Sequence, residues 1–133
     1  MMRVLLDTSA YVAMKIGHPG VASLVRQASE IHVNTIVLGE LYAGFRGGNR
    51  EARNIAQLHD FLSSPRVEVA DLDQETAVRY GVIRNTLKRN GTPIPTNDIW
   101  IAATAMQHGL EVVTLDRHFL KVPQILVNHF APR

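Results

Sequence analysis

Asp7, Glu40, Asp98 and Asp116 each end or interrupt an apolar stretch. Val4-Leu5-Leu6 precedes the first, Val37-Leu38 and Leu41-Tyr42 flank the second, Ile99 to Met106 follows the third, and Val112-Val113 precedes the last. A lone carboxylate is costly to bury, so acids in four such settings point to one shared cluster. Two carboxylates about 4 Å apart repel by roughly 4 kcal/mol at an effective dielectric of about 20, so the cluster should hold something positive. The chain contains no cysteine, which excludes thiolate catalysis, disulfides and sulfur-held zinc. Oxygen donors without sulfur or paired histidines point to Mg²⁺ or Mn²⁺, ions that serve phosphodiester chemistry.

The elements that must position these acids alternate strand with helix. Arg3 to Leu6 is too short and too apolar for a helix and suits a strand buried on both faces, leaving Asp7-Thr8-Ser9 at its carboxyl end. In open α/β sheets ligands bind outside those ends. Short helices are expected around Ala10 to Lys15 and Val21 to Ser29, separated by the turn Gly17-His18-Pro19-Gly20. A strand at Ile31 to Asn34 leads to Thr35, read as the cap of a helix whose apolar residues leave no clean polar face, so much of it should be buried. After Gly47-Gly48 come a helix from Arg50 to Leu62 and a strand from Val67 to Ala70. A long helix capped by Asp71 or Asp73 then runs to Gly91.

Thr96 is read as the cap of a nearly all-apolar helix with Asp98 in its first turn, ended by Gly109. Strands at Glu111 to Leu115 and Ile125 to Val127 follow. Strands joined by single helical crossovers argue for an α/β fold with a parallel sheet and helices on both faces. No repeat or linker divides the chain, so residues 1–133 are read as one domain.

Each feature also has a plain structural reading. Asp7 or Ser9 could simply cap the next helix, and Asp98 could simply complement a helix terminus, worth about 0.3 to 1 kcal/mol. The basic residues Arg79, Arg84, Lys88 and Arg89 fit a solvated helix face. Arg46, Arg117 and His118 are the candidates for nucleic-acid contact, although a net charge of +2 does not by itself announce such binding. A composition of 46% hydrophobic and 20% charged residues is that of an ordinary folded domain, and no apolar run approaches a membrane span. The amino terminus lacks a signal-peptide pattern, so the cytoplasm is expected.

Taken in order, Asp7-Thr8-Ser9, the Glu40 segment beginning at Thr35, Asn97-Asp98-Ile99-Trp100, and Thr114-Leu115-Asp116-Arg117-His118-Phe119 resemble a PIN-domain ribonuclease, most nearly the VapC-like toxins of type II toxin and antitoxin modules. The resemblance implies a three-layer α/β/α sandwich with a short parallel sheet, a homodimer, and Mg²⁺-dependent endoribonuclease activity, with Mn²⁺ as the other candidate ion. It implies Asp7 and Asp98 as direct metal ligands, with Glu40 and Asp116 completing the catalytic set. Thr8, Ser9 and Thr114 become hydroxyls that support those carboxylates. A small antitoxin protein is the implied partner, inserting an arginine or lysine among the acids.

A receiver-type phosphorylation domain fits poorly, since it needs an aspartate ending the third strand and Ala70-Asp71 matches that badly, and two further alternatives compete with this reading. One is a non-catalytic PIN-like partner of a DNA-binding antitoxin or repressor. The other is a metal-free ribonuclease using histidines, but no second histidine is placed to pair with His118. Trp100 is read as core. For a symmetric dimer, Tyr42 and Phe45 on one helix and Tyr80 and Ile83 on another are the expected apolar contacts.

Overall fold

A computed structural model describes residues 1–132. Strands β1 (Arg3–Leu6), β2 (Glu30–Asn34), β3 (Val67–Ala70), β4 (Glu111–Thr114) and β5 (Val127–His129) form one parallel sheet in the order β3-β2-β1-β4-β5. Between them run helices α1 (Thr8–Lys15), α2 (Pro19–Gln27), α3 (Thr35–Arg46), α4 (Glu51–Leu62), α5 (Gln74–Asn90) and α6 (Thr96–His108), with a 3-10 turn at Arg117–Lys121. Val4, Leu5 and Leu6 are all fully buried although adjacent side chains point to opposite faces of a strand. Helices must therefore cover both sides of the sheet, as α/β crossovers require.

The strand order decides where a site can form. From β1 the chain builds outward through β2 to β3, then returns across the sheet to β4 on the other flank of β1. The switch point is the gap beyond the carboxyl ends of β1 and β4, where diverging connections leave a crevice. Asp7 follows β1, and Asp116 lies just past β4.

Several local expectations need correction. Thr35 does not cap α3; Asn34 does, accepting the Val37 N–H at 2.9 Å on its side-chain oxygen. Nor does Thr96 cap α6, which starts behind Pro95 with no side-chain cap bond. The long helix is capped by Asp73 in a reciprocal box with Thr76. The last strand falls at Val127–His129, two residues beyond its expected start. Gly91 and Gly109 do end α5 and α6, each in the left-handed region at φ 66° where a Cβ would be strained.

Burial departs from the sequence expectation in α3, where only Val37 and Leu41 are buried and Tyr42, Ala43 and Gly44 are exposed. Ile83 belongs to the core, so it is not available to an interface. Tyr80 and Trp100 are both half-buried and stack on one another with ring centres 4.2 Å apart, which places Trp100 at the margin of the core.

Asn34 links three elements. Besides capping α3 it donates at 3.0 Å to Thr104 Oγ1 on α6, and it is fully buried. It thereby fixes the helix that carries Glu40 against the helix that carries Asp98. Asn34→Ala removes an N-cap and one of the two hydrogen bonds of the buried Thr104 hydroxyl, leaving the one to the Trp100 carbonyl, for an expected loss of roughly 1 to 3 kcal/mol in urea denaturation. A loss below about 1 kcal/mol would show that the link does not hold these helices.

Candidate metal centre

Asp7 is the most enclosed of the acids, 4% exposed at the end of β1. Its backbone is extended, which lets the side chain turn back over the next helix and accept the Ala10 N–H at 2.8 Å. Ser9 Oγ donates to the same oxygen at 2.7 Å, and Thr114 Oγ1 donates to the other at 2.6 Å. Asp7 therefore does cap α1, and it also faces the crevice lined by the other acids. Burial is the main influence on its carboxyl and raises its pKa, opposed by the Thr114, Ser9 and Ala10 hydrogen bonds.

The same two hydroxyls bind the end of β4. Ser9 Oγ accepts the Leu115 N–H at 3.0 Å, and Thr114 Oγ1 accepts the Asp116 N–H at 2.8 Å. Asp116 opens the 3-10 turn by accepting the His118 N–H at 2.9 Å, and Phe119, fully buried, anchors that turn in the core. The His118 ring nitrogen Nδ1 lies 3.1 Å from an oxygen of Asp98 and 3.0 Å from one of Asp116.

Glu40 sits one turn into α3, where its Oε1 accepts the Thr8 hydroxyl at 2.6 Å. Asn97 donates weakly to its other oxygen at 3.4 Å. Asp98, in the first turn of α6, has its pKa pushed up to about 6. Burial is the largest cause, followed by the charge of Asp116; His118 opposes the rise, and Glu40 adds to it.

One cavity of about 440 Å³ is lined by Asp7, Thr8, Ser9, Glu40, Asp98 and Asp116. The acids read from the sequence thus face one crevice, and the supporting hydroxyls Thr8, Ser9 and Thr114 bond to them directly. Arg46 and Arg117 do not line it. Arg46 is exposed and lies 3.8 Å from Glu51. His118, read from the sequence as a nucleic-acid contact, instead touches two of the acids. Sequence reasoning also missed Asn34 and Asn97, although an asparagine at a strand end before a helix is a recognisable cap signal.

These residues fit a hard divalent cation. The cavity is lined by four carboxylates and the Thr8 and Ser9 hydroxyls, and burial chiefly, with the neighbouring acids adding to it, raises the carboxyls of Asp7 and Asp98. Among the described residues, no lysine or arginine forms an ion pair with any of the four acids.

The PIN-domain family model matches residues 4–125. The tRNA(fMet)-specific endonuclease VapC of Salmonella typhimurium is 36% identical over 104 residues, covering 77% of each chain. Ribonuclease VapC of Haemophilus influenzae is 34% identical over 116 residues, covering 86% of each. Among solved structures, the DNA-bound VapBC complex of Salmonella typhimurium contains a chain with TM-score 0.83 and 32% identity, covering 97% of this chain and 98% of its own. The VapBC2 complex of Rickettsia felis bound to a promoter fragment gives TM-score 0.82 at 28% identity, covering 96% and 98%.

The raised Asp98 carboxyl makes stability in chelator depend on pH. A carboxyl that holds its proton more tightly in the folded state contributes stability below its ordinary value of 3.8, and that contribution is lost as pH rises through about 6. Asp98→Asn cannot lose it. In chelator the melting temperature of the variant should gain on wild type as pH rises across that window, and should exceed it above about 6. Saturating divalent cation should shrink or reverse the difference by binding folded wild type. If the variant melts lower throughout in chelator, Asp98 acts first as a helix-terminus residue.

Proposed function

The chain belongs to the PIN-domain family and, within it, to the VapC-type ribonucleases, and on that premise we propose that it is a Mg²⁺-dependent endoribonuclease, the toxic member of a toxin and antitoxin pair. The observation that carries the reading is the crevice at the β1/β4 switch point, with Asp7, Glu40, Asp98 and Asp116 around one cavity. Asp7 and Asp98 are the proposed direct ligands of the cation, and Glu40 and Asp116 complete its surroundings. A divalent cation held there supplies positive charge that acidifies water and neutralises a scissile phosphate.

The remaining roles fall to the protein's own groups. Ser9 and Thr114 hold both oxygens of Asp7, so its carboxylate is oriented before any substrate arrives. Thr8 does the same for one oxygen of Glu40. The hydrogen bonds of these hydroxyls are committed to orienting the carboxylates, and the attacking oxygen in this proposal comes from water polarised by the cation. One relative is named a tRNA(fMet)-specific endonuclease, which makes structured RNA the substrate class to try first.

The proposed inhibitor is a small antitoxin, as in the VapBC complexes that share this fold. An apolar groove of about 380 Å³ lined by Tyr11, Val12, Leu41 and Phe45 runs up to Thr8 and Glu40 at the edge of the acidic cavity. A partner segment with apolar residues for the groove and an arginine or lysine for the acids would occupy both. For the proposed homodimer, Val78 and Val82, 61% and 44% exposed and one turn apart on α5, offer a more accessible apolar contact than Ile83.

Purified protein with Mg²⁺ or Mn²⁺ should cut structured RNA internally, leaving 5′-phosphate and 3′-hydroxyl ends, and chelator should stop it. Asp7→Asn and Asp98→Asn should each slow cleavage by at least about 10³-fold. Ends bearing 2′,3′-cyclic phosphate, or undiminished cleavage in chelator, would overturn the water-attack mechanism. Sedimentation should show a dimer at micromolar concentration that Val82→Glu dissociates; a wild-type monomer refutes the interface.

A further inference from the structure

We propose that His118 is a ligand of the catalytic cation, donating Nδ1 between Asp98 and Asp116, and that this nitrogen makes the centre prefer Mn²⁺ over Mg²⁺. The inference rests on the metal-dependent reading above and deepens it by assigning a specificity-determining residue. One ligand atom each from Asp98, Asp116 and His118 lies within 4.8 Å of the other two. Nδ1 is 3.1 Å from Asp98 Oδ2 and 3.0 Å from Asp116 Oδ1, so it already points at the space the two carboxylates share.

The ring is held there by the backbone. Its own N–H is bonded to Asp116 at 2.9 Å, and the next residue, Phe119, is fully buried. A cation drawn between Asp98 and Asp116 therefore meets the imidazole unless the side chain turns away. A second group of this kind, Glu30, His32 and Glu68 at the opposite end of the sheet, differs in having a fixed cation beside it. There His32 lies 3.2 Å from Glu30, and Arg3 supplies a permanent charge 3.1 Å from the same carboxylate. No lysine or arginine pairs with Asp98 or Asp116 among the described residues, which leaves the imidazole as the sole group set between them.

Neutral imidazole is a common ligand of first-row transition ions, whereas carboxylate and water suit Mg²⁺. One nitrogen donor among oxygens should raise affinity for Mn²⁺ more than for Mg²⁺, which sheds its waters reluctantly. Losing it should cost about tenfold or more in Mn²⁺ affinity and less than about threefold in Mg²⁺ affinity.

The test uses the whole chain without RNA. MnCl₂ and MgCl₂ are titrated calorimetrically into wild type and His118→Ala, with His118→Gln as the substitute if the alanine variant does not fold, and bound Mn²⁺ is examined by pulsed electron paramagnetic resonance for coupling to ¹⁴N. The expected result is ¹⁴N coupling in wild type that is lost in the variant, together with the selective loss of Mn²⁺ affinity. Absence of coupling in wild type overturns the assignment. So does a variant that binds both ions more tightly, since the imidazole would then be a counter-ion that the metal displaces. Failure of wild type to bind either ion would instead overturn the metal-dependent reading itself, and this inference with it.

Discussion

The Asp7 carboxylate is the constraint around which the rest of the site is arranged. A parallel strand buried on both faces brings the carboxylate into the protein interior, where it stays ionised only if donors surround it. The fold supplies them from three directions: Ala10 N–H on α1, the Ser9 hydroxyl and the Thr114 hydroxyl on β4. Ser9 and Thr114 also accept N–H groups from Leu115 and Asp116, so one hydrogen-bonded network fixes the carboxylate and the strand ends together. Removing one member strands a buried partner at roughly 1 to 3 kcal/mol, which ties the integrity of the switch point to the placement of the acid.

The polarity of a parallel sheet explains why this end can bear so much negative charge. Asp7 caps α1, Asn34 caps α3, Asp98 lies in the first turn of α6 and Asp116 opens the 3-10 turn. The amino termini of α1, α3 and α6 lie beside these acids, and an α-helix amino terminus carries partial positive charge equivalent to about half an elementary unit. Such distributed charge favours carboxylates and phosphate oxygens without filling the cavity, as an arginine would. At the other end of the sheet Arg3 pairs with Glu30 and also donates to the His108 carbonyl, closing that surface with a fixed cation.

The parts of the fold legible in the sequence were those set by short-range rules. Apolar runs of four or five residues gave four of the strands, Gly91 and Gly109 gave helix ends, and acids just beyond strand ends gave the cavity. The parallel-sheet premise places Asp7 and Asp116 together, because the carboxyl ends of parallel strands share one edge, and Glu40, one turn into α3, and Asp98, in the first turn of α6, join them there. What was not legible depended on tertiary packing. The apolar content of α3 suggested burial, but Tyr42, Ala43 and Gly44 are exposed, and hydrophobicity alone does not say which face of a helix is covered. Ile83 went the other way, since helix periodicity could not show which stripe of α5 meets α6. The sequence could place His118 only beside Arg117 and Asp116, whereas the 3-10 turn also directs its imidazole onto Asp98, twenty residues upstream.

The acids also differ in how much they can move. Asp7 has donors on both oxygens, and any shift would break bonds that hold α1 to β4. Asp98 has a single described side-chain partner, His118, and Glu40 has one strong bond to Thr8 and one weak one to Asn97. Reorganisation on cation or substrate binding therefore falls on Asp98, Glu40 and His118, whose contacts are made and broken at little cost to the core. The fold thus joins one immobile carboxylate, bound into its architecture, to side chains with fewer bonds to hold them. Preorganisation is concentrated at the residue whose movement would cost most, and adaptability is left where the charges are least compensated.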